Sequence, residues 1–364
     1  MIAAIRRHID HFFGRGEASI FVPVMDGPLK ANETLDACEV RHRIEAIDNL
    51  TAYGTGLLAS SGPKLLRIVG VDLETVAEFS SPISALAVAE DGRVAIGLDE
   101  GRVLLTAAAG GDRLATLDIA CPTALLFLND GRLAIASGSA ENAPDRWRRD
   151  LMDHGATGSV LLWAGDSSAP VTLARGLAWP YGLAQAPSGQ LVVSESWRHR
   201  LVLIDPLRPG AAPAPTPLER LPGYPSRIVR AHGGGYWLSV FAPRNQLVEF
   251  TLSEIEYRQR MMASVPEEFW VAPMLRSARD FREPLQGGGV KQMGILKPWA
   301  PTFSYGLVIR LGNDLRPLSS LHSRANGRVH GITSLATAHV DGLQHLWIGA
   351  KGDGLVLAVA ESEV

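Results

Sequence analysis

Cysteine is nearly absent: Cys38 and Cys121 are the only two among 364 residues. A disulfide-stapled scaffold is therefore excluded, and both thiols are expected to be reduced. No run of 18 apolar residues occurs, so no membrane-spanning helix is expected. Charge is balanced, with 35 Lys and Arg against 38 Asp and Glu, and a net charge of −3 lacks the basic footprint that nucleic acid requires. Paired-cysteine metal motifs, a Gly-Lys-Ser/Thr phosphate loop and a Gly-x-Ser-x-Gly nucleophile elbow are all missing, and a nucleotide cofactor is not expected. His8, His11, His199 and His232 do not cluster in the manner of a zinc site.

What the chain does have is a recurring unit of apolar strand, glycine turn and second strand. Its clearest copies are Ile83 to Gly97, Pro122 to Ala136, Leu177 to Glu195 and Tyr224 to Ser239. Two degenerate copies run from Asp48 to Ser60 around Gly54 and Gly56, and from Ile332 to Gly349 around Asp341 and Gly342. A lone hairpin cannot bury its apolar face, so such units must stack. Gly56, Gly92 and Gly131 stand 36 and 39 residues apart, close to the roughly 40–50 residues of a four-stranded propeller blade. Six units predict an all-β, six-bladed β-propeller. Later intervals stretch to 58 residues (Gly131 to Gly189) and 107 residues (Gly235 to Gly342), so blades three and five are expected to carry insertions.

The first stretch, with Ile2, Ile5 and Ile9 on one helical face, predicts a helical extension over 1–19 ahead of a propeller over 20–364. Arg6, Arg7, His8, Asp10 and His11 interrupt it too often for a secretory signal, so a cytoplasmic protein is expected. Insertions are placed at 138–157 and 252–301. The second has helical spacing of Met261, Met262, Phe269, Trp270 and Met274, which predicts a lid over a pocket, packing against blade five, or a homodimer contact through 252–301. Trp147 and Met152 mark the first insertion as a second pocket wall.

The block Gly176-Leu-Ala-Trp-Pro-Tyr-Gly-Leu-Ala through Val-Val-Ser-Glu195-Ser-Trp-Arg-His-Arg200, followed by Leu221-Pro-Gly-Tyr-Pro-Ser-Arg-Ile-Val-Arg230 and the run ending Phe-Ala-Pro-Arg-Asn245, resembles the strictosidine synthase-like family. That family is similar to the regucalcin, gluconolactonase and paraoxonase propellers. The resemblance implies six blades, a small-molecule substrate at one mouth of the central channel and, in the hydrolytic members, a calcium ion on acidic and amide side chains. The chain departs from that ligand pattern. Tyr181 stands where an Asn is usual, Ser226 where an Asp is usual, and Thr123 follows Pro122 in blade three. Only Asp48 and Asn49 remain as metal ligands, a poor cage for a cation that takes six to eight oxygens. No cofactor is therefore expected, with calcium the one alternative. The stretch matching the condensing enzyme's glutamate holds His330 instead of an acid.

The candidate catalytic residues are thus Asp48, His330 and Arg227, and the candidate substrate-binding residues are Asn49, Thr123, Tyr181, Ser226, Trp147 and Trp270. Each has a plainer reading: a turn carboxylate for Asp48, a hydrogen-bonding loop residue for His330, and for Glu195, which matches a family acid, an ion pair with Arg198 or Arg200. Two functions follow. One is a lactonase or aryl-esterase hydrolase, with Arg227 and Tyr181 stabilising an oxyanion. The other is a metal-free condensing, cyclising, isomerising or ligand-binding propeller.

Overall fold

In the computed structural model, residues 21–280, 282–284, 291–292, 295–296, 303–340 and 343–363 are described. The helix expected over 1–19 and the Asp341-Gly342 turn lie outside them. The six predicted hairpins are each the inner half of a four-stranded antiparallel sheet. Their inner strands are Ile47–Tyr53, Ile83–Val88, Pro122–Phe127, Pro180–Gln185, Gly223–Arg230 and Ile332–Val340. Each touches its two neighbours, and the last touches the first, so the ring is closed.

The hairpins form where they do because the turn chemistry repeats. Gly92, Gly131 and Gly189 have φ of +90°, +82° and +85°, a conformation that costs glycine little and other residues more. In each case the residue three before the glycine donates its N–H across the turn, as Ala89 does to Arg93 O at 2.9 Å. In blades two, three and four the second strands, Val94–Leu98, Leu133–Ser137 and Leu191–Glu195, are buried along their whole length. Strands covered on both faces read as continuous apolar runs.

The core lies between blades. Ala85, Ala95, Ile135 and Trp163 join blades two and three, and Trp237, Val308, Ile332 and Ile348 join blades five and six. Burying one such large side chain contributes about 1.5–3 kcal/mol. Blade six is completed from the other end of the chain: strand Glu39–Arg43 pairs with Leu355–Ala360, with Glu39 opposite Ala358.

Helices stand where blades three and five are long. Blade three leaves its second strand at Ser137 and resumes at Gly158, with helix Trp147–Met152 between. Blade five holds helices Gln246–Ser253 and Ile255–Ser264 between its second and third strands, so this excursion opens at Gln246, ahead of residue 252. Asn245 caps the first by accepting from Leu247 N at 2.8 Å. Met261, Trp270, Val271 and Ala272 pack with Met152 and Val248. The two excursions therefore bury their apolar faces against each other.

Candidate functional site

At the start of every inner strand the pairing ladder skips. The skipped residues are Asp48 and Asn49, Ser84, Thr123, Tyr181, Ser226 and Arg227, and Thr333, in blades one to six. A bulged residue leaves its carbonyl without a ladder partner and re-aims its side chain. Five blades thus bring polar groups to the channel axis, and blade four brings the Tyr181 ring. Its neighbour Gly182 is needed because a Cβ there would lie 2.4 Å from Ser226 O of the next blade.

The Arg227 guanidinium occupies the centre. Its Nη1 donates to Asp48 O at 3.2 Å, Asp48 Oδ1 at 3.0 Å and Thr333 O at 3.1 Å. Its Nη2 donates to Ser84 O at 2.6 Å and Thr123 O at 3.4 Å, and its plane lies 5.0 Å from the Tyr181 ring centroid. Lys351 Nζ, on the loop after the second strand of blade six, donates to Asp48 Oδ2 at 2.7 Å. Burial opposes the Asp48 charge, but Lys351 and then Arg227 outweigh it and hold this carboxyl below its ordinary value of 3.8. The Lys351 ammonium is likewise opposed by burial and kept charged by Asp48, with its pKa raised.

Above this floor opens a cavity of about 310 Å³, within the range of small-molecule sites. Asp48, Ser84, Thr123 and Lys351 line its base, and Trp147, Trp179, Tyr181, Phe241 and Leu275 its sides. Trp147 meets Phe241 edge to face at 5.5 Å, and Trp179 stacks on Trp197 at 5.2 Å. The blade-three helix is pinned in place by buried Asp150, which accepts from Trp197 Nε1 at 2.8 Å and Asn142 Nδ2 at 3.1 Å. Trp179 has φ +56°, a strained conformation for a bulky residue that concentrates at functional sites. Its carbonyl accepts from Ser196 N at 3.1 Å.

A second carboxylate faces this cavity. Burial pushes Asp99 up from 3.8 to about 6, and Asp48 and Asp145 add to the effect against the pull of Lys351. Tyr181 is also raised, by burial first and then by Asp48, so its phenol stays protonated.

Among the sequence candidates, Asp48, Thr123, Tyr181 and Trp147 line the cavity, with Arg227 directly beneath. Asn49 does not: its Nδ2 donates to Ser60 Oγ at 3.0 Å and Ile83 O at 3.2 Å. Ser226 turns into the seam with blade six, contacting Ser239 Oγ at 2.8 Å and Ile332 O at 3.1 Å. Trp270 is packed among the excursion helices and donates to Val265 O at 2.8 Å. His330 is fully buried elsewhere. Its Nδ1 receives Arg276 Nη1 at 2.7 Å and Ser304 Oγ at 2.8 Å, and its Nε2 faces Arg324 O at 2.8 Å, which leaves neither nitrogen for a substrate. Glu195 pairs with both Arg198 and Arg200. The lid face expected of Met261, Met262, Phe269, Trp270 and Met274 is not in the cavity wall, to which that excursion contributes Leu275.

Asp99 and Lys351 escaped the sequence reading. A signal for them exists in the register: each follows the residue paired with the first position of an inner strand, Leu98 opposite Ile83 and Ala350 opposite Ile332. Gly62, Gly138 and Ser196 hold the equivalent positions in blades one, three and four.

The residues do not fit calcium. Both Asp48 oxygens and four axial carbonyls already accept from Arg227 or Lys351. A divalent ion would lose those ligands and sit beside two positive charges. Among the described residues no three His, Cys, Asp or Glu gather as a metal site, and no helix is long and apolar enough to cross a membrane.

No family model matches the chain, and no curated protein matches it. Solved structures do. Regucalcin from Agrobacterium tumefaciens, described as a calcium-binding protein, superposes with a TM-score of 0.54 at 12% identity, over 88% of this chain and 92% of that one. XC5397 from Xanthomonas campestris, a gluconolactonase, gives 0.54 at 13% identity over 93% and 96%. A putative gluconolactonase gives 0.53 at 12% identity over 89% and 91%. At such identity the likeness speaks for the fold: this chain is a six-bladed propeller with the architecture that regucalcin and the gluconolactonases share.

Proposed function

We propose that the chain hydrolyses small neutral lactones or aryl esters in the cavity above Arg227, without a bound metal. The observation that carries this reading is a pair of carboxyl groups in one cavity whose surroundings drive them apart. Asp48 stays ionised between two cations, and Asp99 is raised to about 6. Pairs separated in this way divide the roles of fixed charge and proton carrier. Asp99 takes a proton from water as that water attacks the ester carbon, and returns it to the oxygen released when the ester C–O bond breaks. Lys351 keeps two N–H donors beyond the one given to Asp48, and with the Tyr181 hydroxyl it offers donors for the oxyanion. The aromatic walls suit a flat apolar substrate. Gluconolactonase neighbours and the strictosidine synthase-like blocks both support this substrate class.

Turnover of a lactone and aryl-ester panel tests the reading. Hydrolysis should survive chelation, rise with pH through about 6, and fall about 10²–10⁴-fold in kcat/KM in Asp99→Asn with the melting temperature maintained. Activity lost to chelator and restored by calcium would overturn the metal-free mechanism. Ligand binding with no hydrolysis would favour the second reading, a strictosidine synthase-like condensing or ligand-binding propeller, which the saturated state of Asp48 also favours.

A further inference from the structure

The ring of oxygens on the channel axis holds one cation, and that cation is covalently part of the protein. We infer that Arg227 is a tethered replacement for a bound ion: the axis is a guanidinium-binding site, built from the carbonyls of Asp48, Ser84, Thr123 and Thr333, the Asp48 carboxylate and the face of Tyr181. This goes beyond the hydrolase reading and does not depend on it. Three features support it. The donors reach across the ring, with residues from blades one, two, three and six accepting at 2.6 to 3.4 Å and blade four supplying a ring at 5.0 Å. The acceptors are bulge positions in every participating blade, so their carbonyls lack a ladder partner and need a donor, which Arg227 supplies to Ser84, Thr123 and Thr333 and shares with Thr333 Oγ1 at Asp48 O. Finally, Arg227 is itself an additional residue in a bulge: the ladder of blade five skips both Ser226 and Arg227, as that of blade one skips Asp48 and Asn49, whereas blades two, three, four and six skip one. That extra residue lets the side chain point along the axis instead of into a blade.

A planar fork suits this ring better than a spherical ion, because its N–H groups diverge toward separate carbonyls while its face rests on an aromatic ring. Lysine would bring one compact ammonium and leave carbonyls unpaired. Arg227 acts through Asp48, whose position sets that of Lys351, and is therefore a positioning residue.

The test is chemical rescue. Arg227→Ala should lose thermal stability and recover it with added methylguanidinium, by several degrees at concentrations too low to move the wild type. Ligand that binds only the folded variant must stabilise it in this way. Arg227→Lys should not restore the wild-type melting temperature. An Ala variant that folds and gains nothing from methylguanidinium relative to wild type, or a Lys variant as stable as wild type, would overturn the inference. Should the Ala variant fail to fold, calorimetric titration of calcium into the wild type carries the test. No saturable binding is expected, and stoichiometric calcium binding that disappears in Asp48→Asn would sink the idea.

Discussion

The floor and the mouth of one channel are built on opposite rules. On the floor, Arg227 and Asp48 have each hydrogen-bonding group described above taken by another, across blades. At the mouth, four aromatic side chains and Leu275 line the same cavity as Asp99, a carboxyl raised to about 6. Charge that is fully paired fixes geometry, and charge left facing a cavity is available for chemistry. The two carboxyl groups therefore differ in purpose although they share a pocket.

The comparison can be pressed from several sides beyond the rescue of Arg227 and the turnover of Asp99→Asn. Trp237, 1% exposed in the seam of blades five and six and bonded to Glu361 Oε1 at 3.1 Å, is purely structural. Trp237→Ala should cost about 3–5 kcal/mol in denaturant unfolding while the folded fraction keeps its ligand affinity. A variant of full stability would remove the benchmark. Lys351 stands between floor and mouth, and Lys351→Met should lower kcat/KM about 100-fold. Intact turnover with a stability loss like that of Trp237→Ala would assign it to the floor.

Acidity separates the carboxyls by sign. Asp99 is raised in the folded state, so its contribution is present below 3.8 and is lost as pH climbs through about 6. Asp48 is depressed, so its contribution is present above 3.8 and is lost as pH falls through its folded value. Urea midpoints followed against pH should decline between 3.8 and about 6 in the wild type and less steeply in Asp99→Asn; equal slopes would refute the assignment of the raised group. Least affected should be the exposed pair of Asp130 and Arg132, 2.6 Å apart, where Asp130→Asn is expected to cost about 0–1 kcal/mol.

Most of the fold could be read from the chain because its turns are local chemistry. Gly92, Gly131 and Gly189 announce hairpins without reference to anything distant. Asp48, Tyr181 and Arg227 could be found because the resemblance to the strictosidine synthase-like family implies where that family places its ligands, in the loop at the start of the inner strands. Asp99 and Lys351 were not legible in that way. Each is a single polar residue in a turn, and its character comes from burial and from neighbours in other blades: Asp99 is tuned by Asp48 and Asp145, and Lys351 by Asp48, 303 positions away. His330 shows the converse. A histidine ahead of an inner strand invites a catalytic reading, and only its contacts with Arg276, Ser304 and Arg324 show that both nitrogens are occupied.

Closure of blade six sets the timing of synthesis. Glu39 pairs with Ala358, 319 residues later, and at about 5–20 residues per second the early strand waits roughly 15–60 s for its partner to emerge from the ribosome. Throughout that wait it is an unpaired edge, the kind of template that recruits other chains. Its sequence, Glu39-Val-Arg-His-Arg43, places charge at three of five positions and leaves no residue fully buried. The strand that locks the ring last is thus composed to stay soluble until its partner strand has been translated.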